Sequence, residues 1–263
     1  MKSRNSNLAA RQGQQGFTLV EMAVVLIVIG VIISAVMIGR DVQRNAEYVR
    51  IRQTFVNQWA EAYNAYRQRY GIPIGDNTAR PRQMVNGANF TGATMLSGGD
   101  MTNVTPPLAV CTGGAGQKMA RGAQAGADLI GTMRQAGIEL PPGRGTGLED
   151  RYVYQDSNGN PQEIQICFQW NPPGTPSGSG NVMVISGLTP DLARSLASGL
   201  KGNTDANSGT FRQEGIAAGS MGNGATQLAL DWTVNNTAAY NGSAAQSFED
   251  QVATVVAHYK MNQ

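Results

Sequence analysis

Gly16-Phe17-Thr18-Leu19-Val20-Glu21 opens an apolar run that continues to Gly39, and between Phe17 and Gly39 the one ionisable side chain is Glu21. A helix needs about 20 residues to cross a bilayer, and this run supplies them. It exceeds the roughly 7–15 residues of an ordinary secretory signal core. Ahead of Phe17 lies a largely polar leader of 16 residues with Lys2, Arg4 and Arg11 and no acid. A positive leader is expected to stay cytoplasmic while the remainder is exported.

A glycine at the polar–apolar border and a carboxylate inside the apolar run both need a reason. Holding a carboxylate at bilayer depth costs on the order of 2–3 kcal/mol or more, so Glu21 is expected to have a partner and a function. A cut after Gly16 would supply that partner. The new α-amine of Phe17 would lie four residues before Glu21, one helical turn away on the same face. The amine could be the chain's own or, in a packed filament, a neighbour's.

At these residues the chain resembles type IV pilins and type II secretion pseudopilins. The resemblance covers about residues 11–45. It implies that Gly16 is the cleavage glycine read by an inner-membrane prepilin peptidase, Phe17 the N-methylated terminus and Glu21 the assembly glutamate. Gly30 falls where family members often carry a helix glycine. Ile38 stands where many type IV pilins carry a helix-bending proline. An uncleaved signal anchor with an incidental Glu21 is the plainer alternative.

The 263 residues have room for one membrane helix and one sizeable head, or two small domains. Three of the 20 Lys and Arg lie in the leader, so the mature chain would carry 17 basic against 18 acidic side chains. That balance argues against a general nucleic-acid binder. The two cysteines, Cys111 and Cys167, follow the membrane run. In an oxidising compartment they are expected to form one disulfide, worth about 3–4 kcal/mol by loop entropy. The expected organisation is a leader over 1–16, a membrane and polymerisation helix over 17–39, an amphipathic continuation over 40–70 and a head over 71–263.

Past Gly39, Val42, Val49, Val56, Trp59, Tyr63, Tyr66 and Tyr70 recur at helical spacing. They predict that the helix continues to Tyr70, with Gly71 and Pro73 as its stop. Residues 71–116 are rich in Pro and Gly and read as irregular. Residues 117–136 carry an uneven helical stripe ended by Gly137 and Pro141-Pro142. From Arg151 the period becomes two. Tyr152 and Tyr154, the turn Asp156–Pro161 and the alternating Glu163–Trp170 predict a hairpin whose second strand is half-buried. Val182–Ile185 reads as a third strand and Gln227–Val234 as a fourth. Thr189-Pro190-Asp191 is a helix start, predicting a short helix over Leu192–Leu200. Phe248, Val252, Val255, Val256 and Tyr259 favour a terminal helix over a last strand. A long amino-terminal helix packed on an antiparallel sheet is an α+β fold, which the resemblance also implies.

No catalytic set emerges. Ser–His or Cys–His chemistry would have to use His258, the one histidine, which has no partner motif beside it. Asp231, Glu249 and Asp250 have no spacing that would suit paired carboxylates or calcium. No cofactor or metal is expected, and no enzyme activity. The expected function is a structural subunit of a type IV pilus or related filament, a minor or specialised pilin by its length. Its expected partners are prepilin peptidase, sister pilin subunits, the inner membrane before assembly and an inner-membrane assembly platform. The expected location is the inner membrane with a periplasmic head, then a periplasmic or extracellular filament. A secretion pseudopilin is the alternative, as is a tip module for adhesion or DNA uptake that binds DNA or a surface receptor.

Overall fold

A computed structural model describes residues 17–89, 128–171, 175–216, 230–232 and 254–261. Helix α1 spans Leu19–Ile51, a π-helical turn spans Arg52–Val56 and α2 spans Asn57–Tyr70. Helical backbone therefore runs unbroken from Leu19 to Tyr70. Gly71 ends it in the left-handed conformation (φ 72°), its N–H donating to the Arg67 carbonyl. That is the glycine stop expected from the sequence. The remaining elements are α3 (Leu129–Gln135), β1 (Arg151–Gln155), β2 (Pro161–Asn171), β3 (Gly180–Leu188), α4 (Pro190–Lys201), β4 (Phe211–Gln213) and β5 (Val255–Lys260). The chain divides into two compact units at Arg44/Asn45.

In the second unit the five strands form one antiparallel sheet in the order β1-β2-β3-β5-β4. The fold is α+β, as the sequence predicts. One sheet face meets α2. Tyr63 stacks on Phe168 with ring centroids 5.1 Å apart and Trp59 lies 6.2 Å from the same ring. Such pairs add about 0.5–1.5 kcal/mol beyond the burial itself. Ile164 and Ile166 of β2, Met183 and Ile185 of β3, and Leu192 and Leu196 of α4 complete this core.

Of the residues that recur at helical spacing, Val56, Trp59, Tyr63 and Tyr66 are buried. Val42, Val49 and Tyr70 are exposed, and Tyr48, Ile51 and Phe55 take the core positions instead. The π turn is the cause. Its i→i+5 bond, from the Asn57 N–H to the Arg52 carbonyl, absorbs one extra residue. The face before the turn is thereby shifted relative to the face after it, and Phe55 and Val56 both reach the core.

The hairpin forms in the expected place. Asp156 Oδ1 accepts the N–H groups of Asn158 (2.8 Å) and Asn160 (2.9 Å), and Gly159 supplies φ 84°. Strand β2, however, is buried on both faces from Ile164 onward. Its second face packs Cys167 against Val182, Val184 and Val256. In β3 the ladder with β5 shifts register between Ile185 and Leu188, with Gly187 at φ 81°. A Cβ on Gly187 would drive into the Glu163 carbonyl.

Thr189 caps α4 with Pro190 at its first position, as predicted. The carboxyl-terminal segment is a strand, β5, where the spacing favours a helix. Val255 and Ala257 face the core while His258 faces the other way, a period of two set by pairing with β3 and β4. Leu230–Trp232 forms no strand, and the remainder of the expected fourth strand lies outside the described residues. Helix α3 is the described part of the helix expected over 117–136, with Asp128 as its cap.

The described part of the irregular segment, residues 71–89, closes around Asp76. Its carboxylate accepts the N–H groups of Asn77, Arg82 and Gln83 at 2.8–2.9 Å. Asn181 of β3 pins the same loop, accepting from Val85 N at 2.9 Å and donating to the Gln83 carbonyl at 3.0 Å.

Candidate functional site

The sequence points to the amino end of α1. Every large apolar side chain from Leu19 to Ile38 is exposed, and Phe17 is 80% exposed. Hiding one such side chain from water is worth about 1.5–3 kcal/mol, so this surface demands lipid or apolar protein around it. The helix is long and apolar enough to cross a membrane. It remains α-helical through Ile38, as the absence of a proline there allows.

Thr18 and Glu21 form a reciprocal cap at the helix start. The Thr18 carbonyl accepts from Met22 N at 3.2 Å, which makes Thr18 the N-cap. Thr18 Oγ1 accepts from Glu21 N at 3.3 Å. Glu21 Oε2 in turn accepts from Thr18 N at 2.8 Å and from the Thr18 hydroxyl at 3.0 Å. This is a capping box. Glu21 thus has donors within its own helix, and an amine released by cleavage would add a further one. The signal was present in the sequence as Thr18-x-x-Glu21. Gly16 lies outside the described residues.

Residues 11–37 match the family model for the prokaryotic N-terminal methylation motif. The chain carries the amino-terminal signal of type IV pilin-like and pseudopilin precursors. No curated protein and no solved structure matches it. The motif is that of a structural class of subunits rather than of enzymes. The apolar helix that follows the motif fits a membrane anchor, and the motif implies processing by prepilin peptidase and assembly with other subunits.

Among the described residues, His258 and Asp231 both lie in the head unit. His258 sits in β5, 1% exposed, beside Asn171 and Ser177. Asp231 is clamped by Arg194 through Nε (2.7 Å) and Nη2 (3.1 Å). The Arg194 hydrogen bond holds its carboxyl below the usual range, so it is a structural anion. Glu249 and Asp250 lie outside the described residues. Cys167 is fully buried in β2, no cysteine among the described residues is a free thiol, and Cys111 lies outside them.

Proposed function

We propose that this precursor is a structural subunit of a type IV pilus or related filament. Prepilin peptidase would cut between Gly16 and Phe17, Phe17 would be N-methylated, and the subunit would polymerise through the helix that begins there. The observation that carries this reading is the coincidence of the methylation motif with a helix whose apolar side chains are all exposed through Ile38. Sister helices can replace lipid around that surface with little change in solvation. Glu21 then adds register: its carboxylate can exchange part of the Thr18 cap for the charged amine of an adjacent subunit. A minor or specialised pilin is the reading favoured by the 247 residues that remain of 263 after a 16-residue leader.

Within the head, Cys111 is proposed to pair with Cys167. The burial of Cys167 and the lack of a free thiol among the described residues support this pairing.

The experiment is mass spectrometry of the native amino terminus, with and without the peptidase. A peptidase-dependent start at N-methyl-Phe17, and the chain's presence in sheared filaments, are the expected results. An intact Met1, or cleavage elsewhere, would overturn the processing reading.

A further inference from the structure

In the head unit Arg134, Arg144, Arg151, Arg194 and Lys201 each hold a carboxylate. Arg67, Arg69 and Arg80 hold none, and among the described residues their side chains make no hydrogen bond. Arg67 and Arg69 lie in the last turn of α2, where a cation complements the helix dipole. That accounts for their sign but not for Arg80, which stands on the loop that follows.

The loop brings Arg80 to the same end of the head. It folds back on itself just past the helix, Asn86 N donating to the Ile74 carbonyl at 2.9 Å and Ala88 N to the Gly75 carbonyl at 3.1 Å. Asn77 Oδ1 accepts the N–H groups of Ala79 (2.9 Å) and Arg80 (3.3 Å), and Gln83 Nε2 reaches the Gly71 carbonyl at 3.5 Å. Arg82, on the same loop, is engaged by the Gly87 carbonyl at 2.6 Å. Tyr70 ends α2 beside these arginines. Its ring is stacked on Tyr66, with centroids 4.8 Å apart and planes at 26°. Tyr66 is buried, so the Tyr70 ring is braced while 45% of the residue stays open to solvent.

The acids near this end leave the arginines unneutralised. Asp76 is 8% exposed, and its carboxylate already accepts three loop N–H groups. Glu61 and Glu139 line the cleft between α2 and Gly137–Pro142 and bound the patch on that side. Guanidinium forks match phosphate oxygens two at a time. An open aromatic ring stacks a nucleobase whatever its identity. A braced ring beside unpaired guanidinia therefore fits a strand that alternates phosphates with exposed base faces. A duplex hides those faces.

We propose that this end of the head binds single-stranded nucleic acid, with Tyr70 as the stacking platform and Arg67, Arg69 and Arg80 on the phosphates. The 17 basic against 18 acidic side chains of the mature chain make this a short local site rather than a general coating. All of it lies within the head unit, so it does not rest on the processing reading.

Fluorescence anisotropy of a labelled deoxythymidine strand of about 20 nucleotides, with the full chain in non-ionic detergent, tests it. Three phosphate contacts on a single strand predict a log Kd against log salt slope of about 2. Tyr70→Ala is expected to weaken binding about tenfold at unchanged slope, and Tyr70→Phe to bind as wild type does. Arg69→Gln combined with Arg80→Gln is expected to bring the slope below about 1. No binding by wild type, or equal binding by Tyr70→Ala, overturns the proposal. Competition against wild type decides without any variant. An abasic strand of the same length, a duplex and heparin, each at equal charge, are expected to compete about tenfold less well than the thymidine strand. Equal competition by any of them marks a general polyanion surface and overturns the assignment.

Discussion

In the function proposed above, Gly16 acts in processing and Glu21 in assembly, and substitutions should separate the two steps. Glu21→Gln keeps the Thr18 backbone and an acceptor at the helix start but removes the charge that a neighbouring amine would meet. Processing is expected to stay near wild type while filament yield falls at least severalfold, read from sheared fractions against total mature protein. Gly16→Asp is expected to do the reverse and leave full-length precursor in membranes. In the head, Tyr63 offers a different single-residue test. Its hydroxyl is buried with no hydrogen-bond partner among the described residues, and burial pushes its ionisation above the ordinary tyrosine range. Leaving a buried hydroxyl unpaired costs about 1–3 kcal/mol. Tyr63→Phe keeps the stack on Phe168 and is expected to match or exceed wild-type stability, measured as Tm. A clear loss would show that the hydroxyl contributes to stability.

Among the elements, the π turn carries the clearest consequence. It lets Tyr48 and Ile51 share the core with Trp59 and Tyr63. Deleting the exposed Gln53 should restore α-helical spacing and turn the earlier face by about 100°. Tyr48 and Ile51 would leave the core, and a loss of about 2–5 kcal/mol is expected from denaturant unfolding. The end of α4 is a second such element. The Lys201 ammonium, 3% exposed, is held by the Asp205 carboxylate (3.1 Å) and the Ser208 carbonyl (2.8 Å). Burial pushes the Asp205 carboxyl up, but hydrogen bonds from Ser208 and Lys201 outweigh it and hold the group below its ordinary value. A depressed folded value means stabilisation that is complete above about pH 4 and lost as pH falls through the folded value. Asp205→Asn is therefore expected to lower Tm at neutral pH, and the gap from wild type should close in stronger acid. A gap that persists unchanged below that range would contradict an electrostatic origin.

For the molecule as a whole, stability rests on a sheet covered on both faces. The larger core lies between the sheet and helices α2 and α4, and the smaller cluster centres on Cys167. If Cys167 closes a long loop with Cys111, Cys167→Ser is expected to lose about 3–4 kcal/mol, and reductant should lower the Tm of wild type but not of the variant. Equal sensitivity of both to reductant would remove the pairing.

The sequence by itself determined the amino-terminal signal, the membrane-length helix, its stop at Gly71, the hairpin at Asp156–Pro161 and the capped start of α4. Each is a local property: a charge-free run of bilayer length, a glycine able to take a positive φ, a side chain that caps a helix two or three residues away. The tertiary structure alone decided which side chains of the spine reach the core, because one π turn changes the phase of every position before it. It also decided the strand at Val255–Lys260, since pairing with β3 and β4 overrides an apolar spacing that suits a helix. Finally, it brought His258 to Asn171 and Ser177, more than 80 positions away. A contact across that separation exists only once the sheet order is set, and no spacing in the chain encodes it.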